Sequence, residues 1–301
     1  MFVLAGFFML TSCGSALQVS DDGGKISALD GLERVIELKQ PAQRIVSLSP
    51  SVTETLYAIG AGGQVVGRDS FSNYPAEALQ VQDVGGSMGG YSYETIASLQ
   101  PDLVIAGEIN TPEQVKALED LGLKVFYLSN PVKLDSISVM ITSVGILTGR
   151  DKEAKALNAS LEKRIKAVTD LAATAADRPL VFYELDGSGP GNPWTPGPGT
   201  FLSELIAAAG GVNAGDALQS AWAQISSEQL LVQDPDIILL GDSIYGMTVE
   251  QVAARAGWSG LTAVQENRIY PFNDDLVSRP GPRLVDGLEE LARLLHPELY
   301  E

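Results

Sequence analysis

Two glutamates recur in one local phrase. Residues 92–105 read Ser-Tyr-Glu-Thr-Ile-Ala-Ser-Leu-Gln-Pro-Asp-Leu-Val-Ile, and residues 226–239 read Ser-Ser-Glu-Gln-Leu-Leu-Val-Gln-Asp-Pro-Asp-Ile-Ile-Leu. In each, a glutamate near the start of a short helix (Glu94, Glu228) is followed at the same spacing by Pro-Asp (Pro101-Asp102, Pro235-Asp236) and then by an apolar run of the buried kind. A pair of carboxylates is the equipment of acid–base hydrolysis. The interval between the copies is too long for a solenoid repeat, so it points to two similar lobes, each with one glutamate. Carboxylates on separate lobes cannot flank one scissile bond, and a paired docking device is the better reading. A carboxylate in a first helical turn also favours the helix dipole, which is compatible with docking.

Other chemistry lacks parts. The one histidine, His296, precedes Pro297 at the end of the last helix, a C-cap position. With no second histidine and one cysteine, neither a zinc site nor a histidine-based nucleophilic triad can be assembled. Gly60-Ala61-Gly62-Gly63 follows a helix and lacks the third glycine of a dinucleotide fingerprint, and no Walker lysine follows a glycine run. The expectation is a binding protein that is not an enzyme, without a cofactor or a bound metal.

Strands and helices must alternate to position the two glutamates. Strands are expected at 35–38, 45–48, 102–106, 124–128, 180–185, 236–240 and 268–272. Helices are expected from Ser49 or Ser51 to Gly60, from Thr111-Pro112-Glu113 to Gly122, over 200–209 ending at Gly210-Gly211, and over 283–295. This rhythm predicts an α/β fold of two parallel-sheet lobes. Between them, 151–176 has no Gly or Pro and repeats apolar residues at Leu157, Leu161, Ile165 and Val168, which predicts one spanning helix roughly 39 Å long. The division is a lobe at 26–149, the spanning helix within 150–177 and a second lobe at 178–301. A Gly/Pro-rich loop is expected at 186–199.

Hydrophobic residues make up 45% of the 301, enough for a core in each lobe, and the net charge of −18 disfavours nucleic acid as a partner. Residues 2–10 form an apolar run too short to span a bilayer, and Leu10-Thr11-Ser12-Cys13-Gly14 follows it. That pattern resembles a bacterial lipoprotein signal over residues 1–12, although no Lys or Arg precedes the run. It implies cleavage before Cys13, lipid on its sulfur, and a flexible tether over 13–25 that holds a monomeric protein at the outer face of the cell membrane.

The ordered motifs Arg44-Ile45-Val46-Ser47-Leu48-Ser49-Pro50-Ser51-Val52-Thr53-Glu54, Glu94…Pro101-Asp102, Gly197-Pro198-Gly199-Thr200-Phe201-Leu202 with Gly210-Gly211-Val212-Asn213, and Glu228…Pro235-Asp236 run through nearly the whole mature chain. Together they resemble the ABC-importer substrate-binding proteins for vitamin B12, ferric siderophores or haem, whose two α/β lobes are joined by one long helix. The resemblance implies that Glu94 and Glu228 each meet arginines on one subunit of a permease dimer. Phe71-Ser72-Asn73-Tyr74-Pro75, Ala221-Trp222-Ala223-Gln224, Trp194 and Asp275-Leu276-Val277-Ser278-Arg279 are most similar to the vitamin B12 binders. The implied ligand is therefore a corrinoid held between the lobes by Pro50, Phe71, Tyr74, Met88, Tyr91, Trp194, Trp222, Asp275 and Arg279. Phe71 stands where a Tyr is usual, Met88-Gly89-Gly90-Tyr91 where a Trp is common, and the aromatic between Asp275 and Arg279 is missing. A ferric siderophore or haem is the alternative, with Tyr91 or Tyr93 as the axial haem candidate, and a hydrolase on a similar scaffold is the distant one. A flat, apolar, amide-rimmed disc suits aromatic walls with few polar partners.

Overall fold

The computed structural model describes residues 26–86, 90–131 and 133–300. The lipidation and tether residues, Cys13 included, and Met88 lie outside them. The chain opens with a hairpin of β1 (Ile26–Leu29) and β2 (Val35–Leu38). The N-terminal lobe then runs β3 (Ile45–Ser47), α1 (Pro50–Ala58), β4 (Val65–Arg68), β5 (Gln82–Asp83), α2 (Tyr93–Ser98), β6 (Leu103–Gly107), α3 (Pro112–Asp120), β7 (Val125–Leu128) and α4 (Ile137–Thr148). Its five strands are all parallel, in the order β5-β4-β3-β6-β7.

After α5 (Asp151–Ala172), the C-terminal lobe holds β8 (Leu180–Glu184), β9 (Trp194–Pro196), α6 (Phe201–Ala208), β10 (Val212–Asn213), β11 (Trp222–Gln224), α7 (Ser227–Gln233), β12 (Ile237–Leu240), α8 (Val249–Ala253), α9 (Thr262–Gln265), β13 (Ile269–Pro271) and α10 (Leu284–Leu295). Its parallel sheet has the order β10-β8-β12-β13, and β9 pairs with β11 as a separate antiparallel ribbon. β6 and β12 are buried at every residue, because helices cover both faces of a parallel sheet, and this is why they read as unbroken apolar runs.

The repeated phrase has one physical meaning in both lobes. Ser92 accepts a hydrogen bond from the Thr95 amide at 3.3 Å and starts α2; Ser226 accepts from the Gln229 amide at 3.1 Å and starts α7. Each helix runs into a residue at positive φ, Gln100 at 47° and Asp234 at 50°. The following proline cannot continue a helix. The aspartate then pins the start of the neighbouring central strand. Asp102 accepts from the amides of Gln43 and Arg44 at 2.8 and 3.1 Å, ahead of β3, and Asp236 accepts from Leu180 of β8 at 2.7 Å.

The connecting helix ends at Ala172 and not at 176, which makes it about 33 Å long. It buries Ala154, Leu161, Val168 and Ala172, and its Leu161 and Val168 belong to one core cluster that includes Leu56 and Val144 of the first lobe and Leu205 and Leu288 of the second. Arg164 adds ion pairs to Asp286 (2.6 Å) and Glu289 (2.8 Å) of α10. The lobes therefore share a continuous apolar spine. α1 begins at Pro50 with Ser49 in the N-cap position, but the Ser49 hydroxyl bonds the Ser51 hydroxyl at 2.9 Å and caps no amide. The expected loop at 186–199 contains β9, so it is a built ribbon with an irregular entry.

Candidate functional site

In an open parallel sheet, ligands collect outside the carboxyl ends of the strands. The segment after β4 carries Phe71 and Tyr74 there. Asp69, almost fully buried, shapes this turn: its carboxylate accepts from the Phe71 amide at 2.9 Å and from the Ser72 hydroxyl. The turn leaves the Phe71 and Tyr74 rings 43% and 46% exposed, a large apolar area to leave in water.

The second lobe presents its aromatics on the β9–β11 ribbon. Trp222 pairs with Pro196 and Gln224 with Trp194, so the period-2 alternation of strands puts Trp194 and Trp222 on the same face. Both are exposed, at 41% and 45%, while Thr195 on the opposite face is buried. The Trp222 ring meets Phe201 edge to face at 6.2 Å, which orients it.

Between the lobes lies a clasp of charges. Glu54 of α1, 3% exposed, accepts two hydrogen bonds from Arg283 at 2.8 and 2.6 Å. Arg279 lies 3.6 Å from Glu54, pairs with Asp275 at 2.7 Å and donates to Asn73 Oδ1 at 2.7 Å. The Arg283 guanidinium also stacks 4.0 Å from the centre of the Tyr74 ring. Asp275 and Arg279 are thus neighbours of Tyr74 and Asn73, although they lie some two hundred positions away in sequence. Sequence reasoning gave Glu54 and Asn73 no role of their own. A carboxylate inside the otherwise uncharged run 45–67 was the available signal.

Each sheet reverses its strand order at one point, and hydrogen-bonded polar side chains stand at each of these crevices. In the first lobe the reversal lies between β3 and β6. There the Tyr91 hydroxyl donates to the Leu48 carbonyl at 3.2 Å and accepts from Asn110 at 2.6 Å. Burial, and then the charge of Asp69, push this phenol up to about 12. Gly86 has φ +99° and lies under the ring: a Cβ there would sit 2.2 Å from Tyr91, so the position requires glycine. Pro50, buried at the first turn of α1, follows Leu48, whose carbonyl Tyr91 bonds, by two residues.

In the second lobe the reversal lies between β8 and β12. Glu184, fully buried, forms a two-point ion pair with Arg255, one bond of which is 2.8 Å. Asp242 accepts from the Gly187 amide at 2.8 Å, and its other oxygen is buried without a partner among the described residues. Arg255 stacks on Trp258 at 4.7 Å, and the Trp258 indole donates to Ser227 at 3.4 Å. Tyr91 immediately precedes the α2 cap and Ser227 begins α7, so both clusters adjoin the helix starts that carry Glu94 and Glu228. Those two carboxylates are exposed at equivalent positions, two residues past the capping serine. A groove of about 680 Å³ lined by Gly187, Pro190, Met247 and Arg255 opens beside Glu228. Among the described residues, no group of three or more His, Cys, Asp or Glu could hold a metal.

These buried acids set a pH dependence. Burial raises the carboxyls of Asp69, Glu184, Asp242 and Asp274 above their ordinary values. The folded protein therefore binds protons more tightly than the unfolded chain just above the ordinary carboxyl range. Stability is gained as pH falls through that window and lost as pH rises through it. Arg164 holds Glu289 below its usual range, so its contribution is lost only at lower pH. The thermal midpoint is expected to rise as the pH is lowered from neutral towards the top of the ordinary carboxyl range. A midpoint that falls on this acidification contradicts the assignment.

Two parallel-sheet lobes, one connecting helix and aromatic rings left in water on both lobes define a two-lobed solute-binding protein. Residues 45–276 match the family described as Periplasmic binding protein, and the chain belongs to that family. It is 32% identical to the "Uncharacterized ABC transporter substrate-binding lipoprotein YvrC" of Bacillus subtilis, over 99% of this chain and 96% of that one. It is 31% identical to the "Cobalamin-binding protein" of Halobacterium salinarum, over 89% and 73% of the two chains. Among solved structures, the periplasmic heme-binding protein RhuT of Roseiflexus sp. RS-1 superposes with a TM-score of 0.77 at 30% identity, over 86% of this chain and 99% of that one. The chain is a substrate-binding protein of an ABC importer and not an enzyme.

Proposed function

We propose that the protein captures a corrinoid between its lobes and hands it to the permease of an ABC importer. The observation that carries this reading is the pairing of exposed aromatics on both lobes with a floor of no net charge. Phe71, Tyr74, Trp194 and Trp222 offer flat apolar faces, while Arg279 and Arg283 are both spent on Glu54 and Asp275. A neutral, wide, amide-rimmed ligand suits that balance. The cobalamin-binding relative from Halobacterium supports it. Titrating cyanocobalamin, haemin and ferrichrome into the purified protein, followed by absorbance, tests the assignment: saturable binding of cyanocobalamin in preference to the other two is expected, and its absence rejects the reading.

Haem is the second reading, favoured by the likeness to RhuT. It needs an axial ligand. The Tyr91 hydroxyl is already engaged by Leu48 and Asn110, which leaves Tyr93 as the better candidate.

Glu94 and Glu228 serve as the two docking points. Each is an exposed carboxylate at a helix start, and a matched pair fixes register and speeds association. Replacing both with Ala is expected to leave ligand affinity unchanged and to reduce uptake by the reconstituted importer severely. Loss of ligand binding in the isolated double variant would instead place them in the ligand site.

Cys13 is the proposed lipid attachment point, supported by the Leu-Thr-Ser-Cys sequence and by the lipoprotein relative from Bacillus. In a bacterial host the full chain should partition into detergent and Cys13→Ala into water; equal partitioning of the two removes the anchor.

A further inference from the structure

We infer that Glu54 is a specificity-determining residue: by neutralising two arginines that enter from the C-terminal lobe, it keeps the floor between the lobes uncharged and biases the protein against ligands that carry carboxylates. This rests on the reading that the ligand lies between the lobes. Glu54 is a buried carboxylate on a helix whose other residues up to Leu56 are uncharged and buried. Burying a charge is costly, and an apolar side chain would fill the same space more cheaply. The residue is explained by what it meets across the lobe boundary.

Arg283 grips it with two hydrogen bonds and Arg279 stands 3.6 Å away. Arg279 is also paired with Asp275, so among the four ion-paired side chains two guanidiniums face two carboxylates. The arginines have little freedom to leave. Gly281, between them in sequence, approaches α1 so closely that a Cβ there would lie 3.3 Å from the Ser51 backbone. Arg283 is sandwiched between Glu54 and the half-exposed ring of Tyr74, one of the candidate ligand contacts. Removing the Glu54 charge takes away both hydrogen bonds of the Arg283 guanidinium and leaves it against the Tyr74 ring, with Asp275 already paired to Arg279, so these four positions then carry one net positive charge. A ligand carboxylate can pair with it; an uncharged ligand gains nothing.

The test uses the full chain with Glu54→Gln, which keeps the size and hydrogen-bonding shape of the side chain. The probes are haemin, with two free carboxylates, and haemin dimethyl ester, in which both are masked. The ratio of their affinities, read by absorbance titration, is expected to rise at least about tenfold over wild type, the effect of one charge-assisted hydrogen bond. Arg283→Met in the Glu54→Gln background should abolish the gain, and Arg283→Met alone should shift the ratio the other way. An unchanged ratio, no haemin binding by Glu54→Gln, or a gain that persists without Arg283 overturns the inference. Failure of wild type to bind cyanocobalamin defeats the corrinoid reading separately and leaves the ratio test intact.

Discussion

Arg255→Met lowers the stability of the protein by about 3–5 kcal/mol near neutral pH, the cost of leaving a buried ion without its partner. The partner is Glu184, fully buried at the end of β8, and Arg255 meets both of its carboxylate oxygens. Asp242 lies in the same cluster with one oxygen unpartnered among the described residues, so the arginine is the counter-charge for two acids. Without it Glu184 must either stay charged in an apolar site or take up a proton. The defect therefore shrinks on acidification, and the fall in thermal midpoint should be on the order of 10 °C near neutral pH and smaller below it. Glu184→Gln placed on top of Arg255→Met should recover much of the loss, because the orphan charge is gone. Since Arg255 also stacks on Trp258, which holds the start of α7, the single variant is expected to impair the docking proposed for Glu228 as well. Thermal unfolding of the three proteins decides it; an Arg255→Met variant within about 1 kcal/mol of wild type would mean that water supplies what the arginine does.

Trp222→Ala weakens cyanocobalamin binding by about 2 kcal/mol or more, roughly thirtyfold, as expected for a central aromatic anchor. A flat ring supplies wide contact with little rotamer entropy to lose, and Trp222 presents such a ring on a ribbon whose other face is buried at Thr195 and half-buried at Ala223. Its exposure means that global stability should hardly change, apart from the lost edge contact with Phe201. Trp222→Phe retains part of the face and should fall between the two. Calorimetric titration of the three proteins tests the role. Identical affinities would move the anchor to Trp194 or to the Phe71–Tyr74 segment.

Strands that are covered on both faces were easy to read, because Leu103–Gly107 and Ile237–Leu240 must be apolar throughout. Helix starts were legible wherever a proline or a hydroxyl capping residue marks them, as at Thr111-Pro112 and Thr200. α4 was not, because eight of its twelve residues are buried and a helix covered on most sides shows no amphipathic period. β4 and the β9–β11 ribbon also escaped notice: they are short, and their register is set by partners distant in the chain.

The sequence by itself determined the lobe count and the connecting helix and singled out Glu94 and Glu228 as equivalent positions, because each rests on local periodicity, caps or an internal repeat. The exposed aromatics could also be named from it, since a Trp in a polar or Gly/Pro-rich segment is conspicuous. Only the tertiary structure decided how charge is distributed around them. Glu54 with Arg283, Arg279 with Asn73, and Glu184 with Arg255 join residues far apart in the chain. A charged side chain is an ordinary surface residue in sequence. Whether it is buried, and what neutralises it, depends on which lobe the chain folds against it, and no local pattern encodes that.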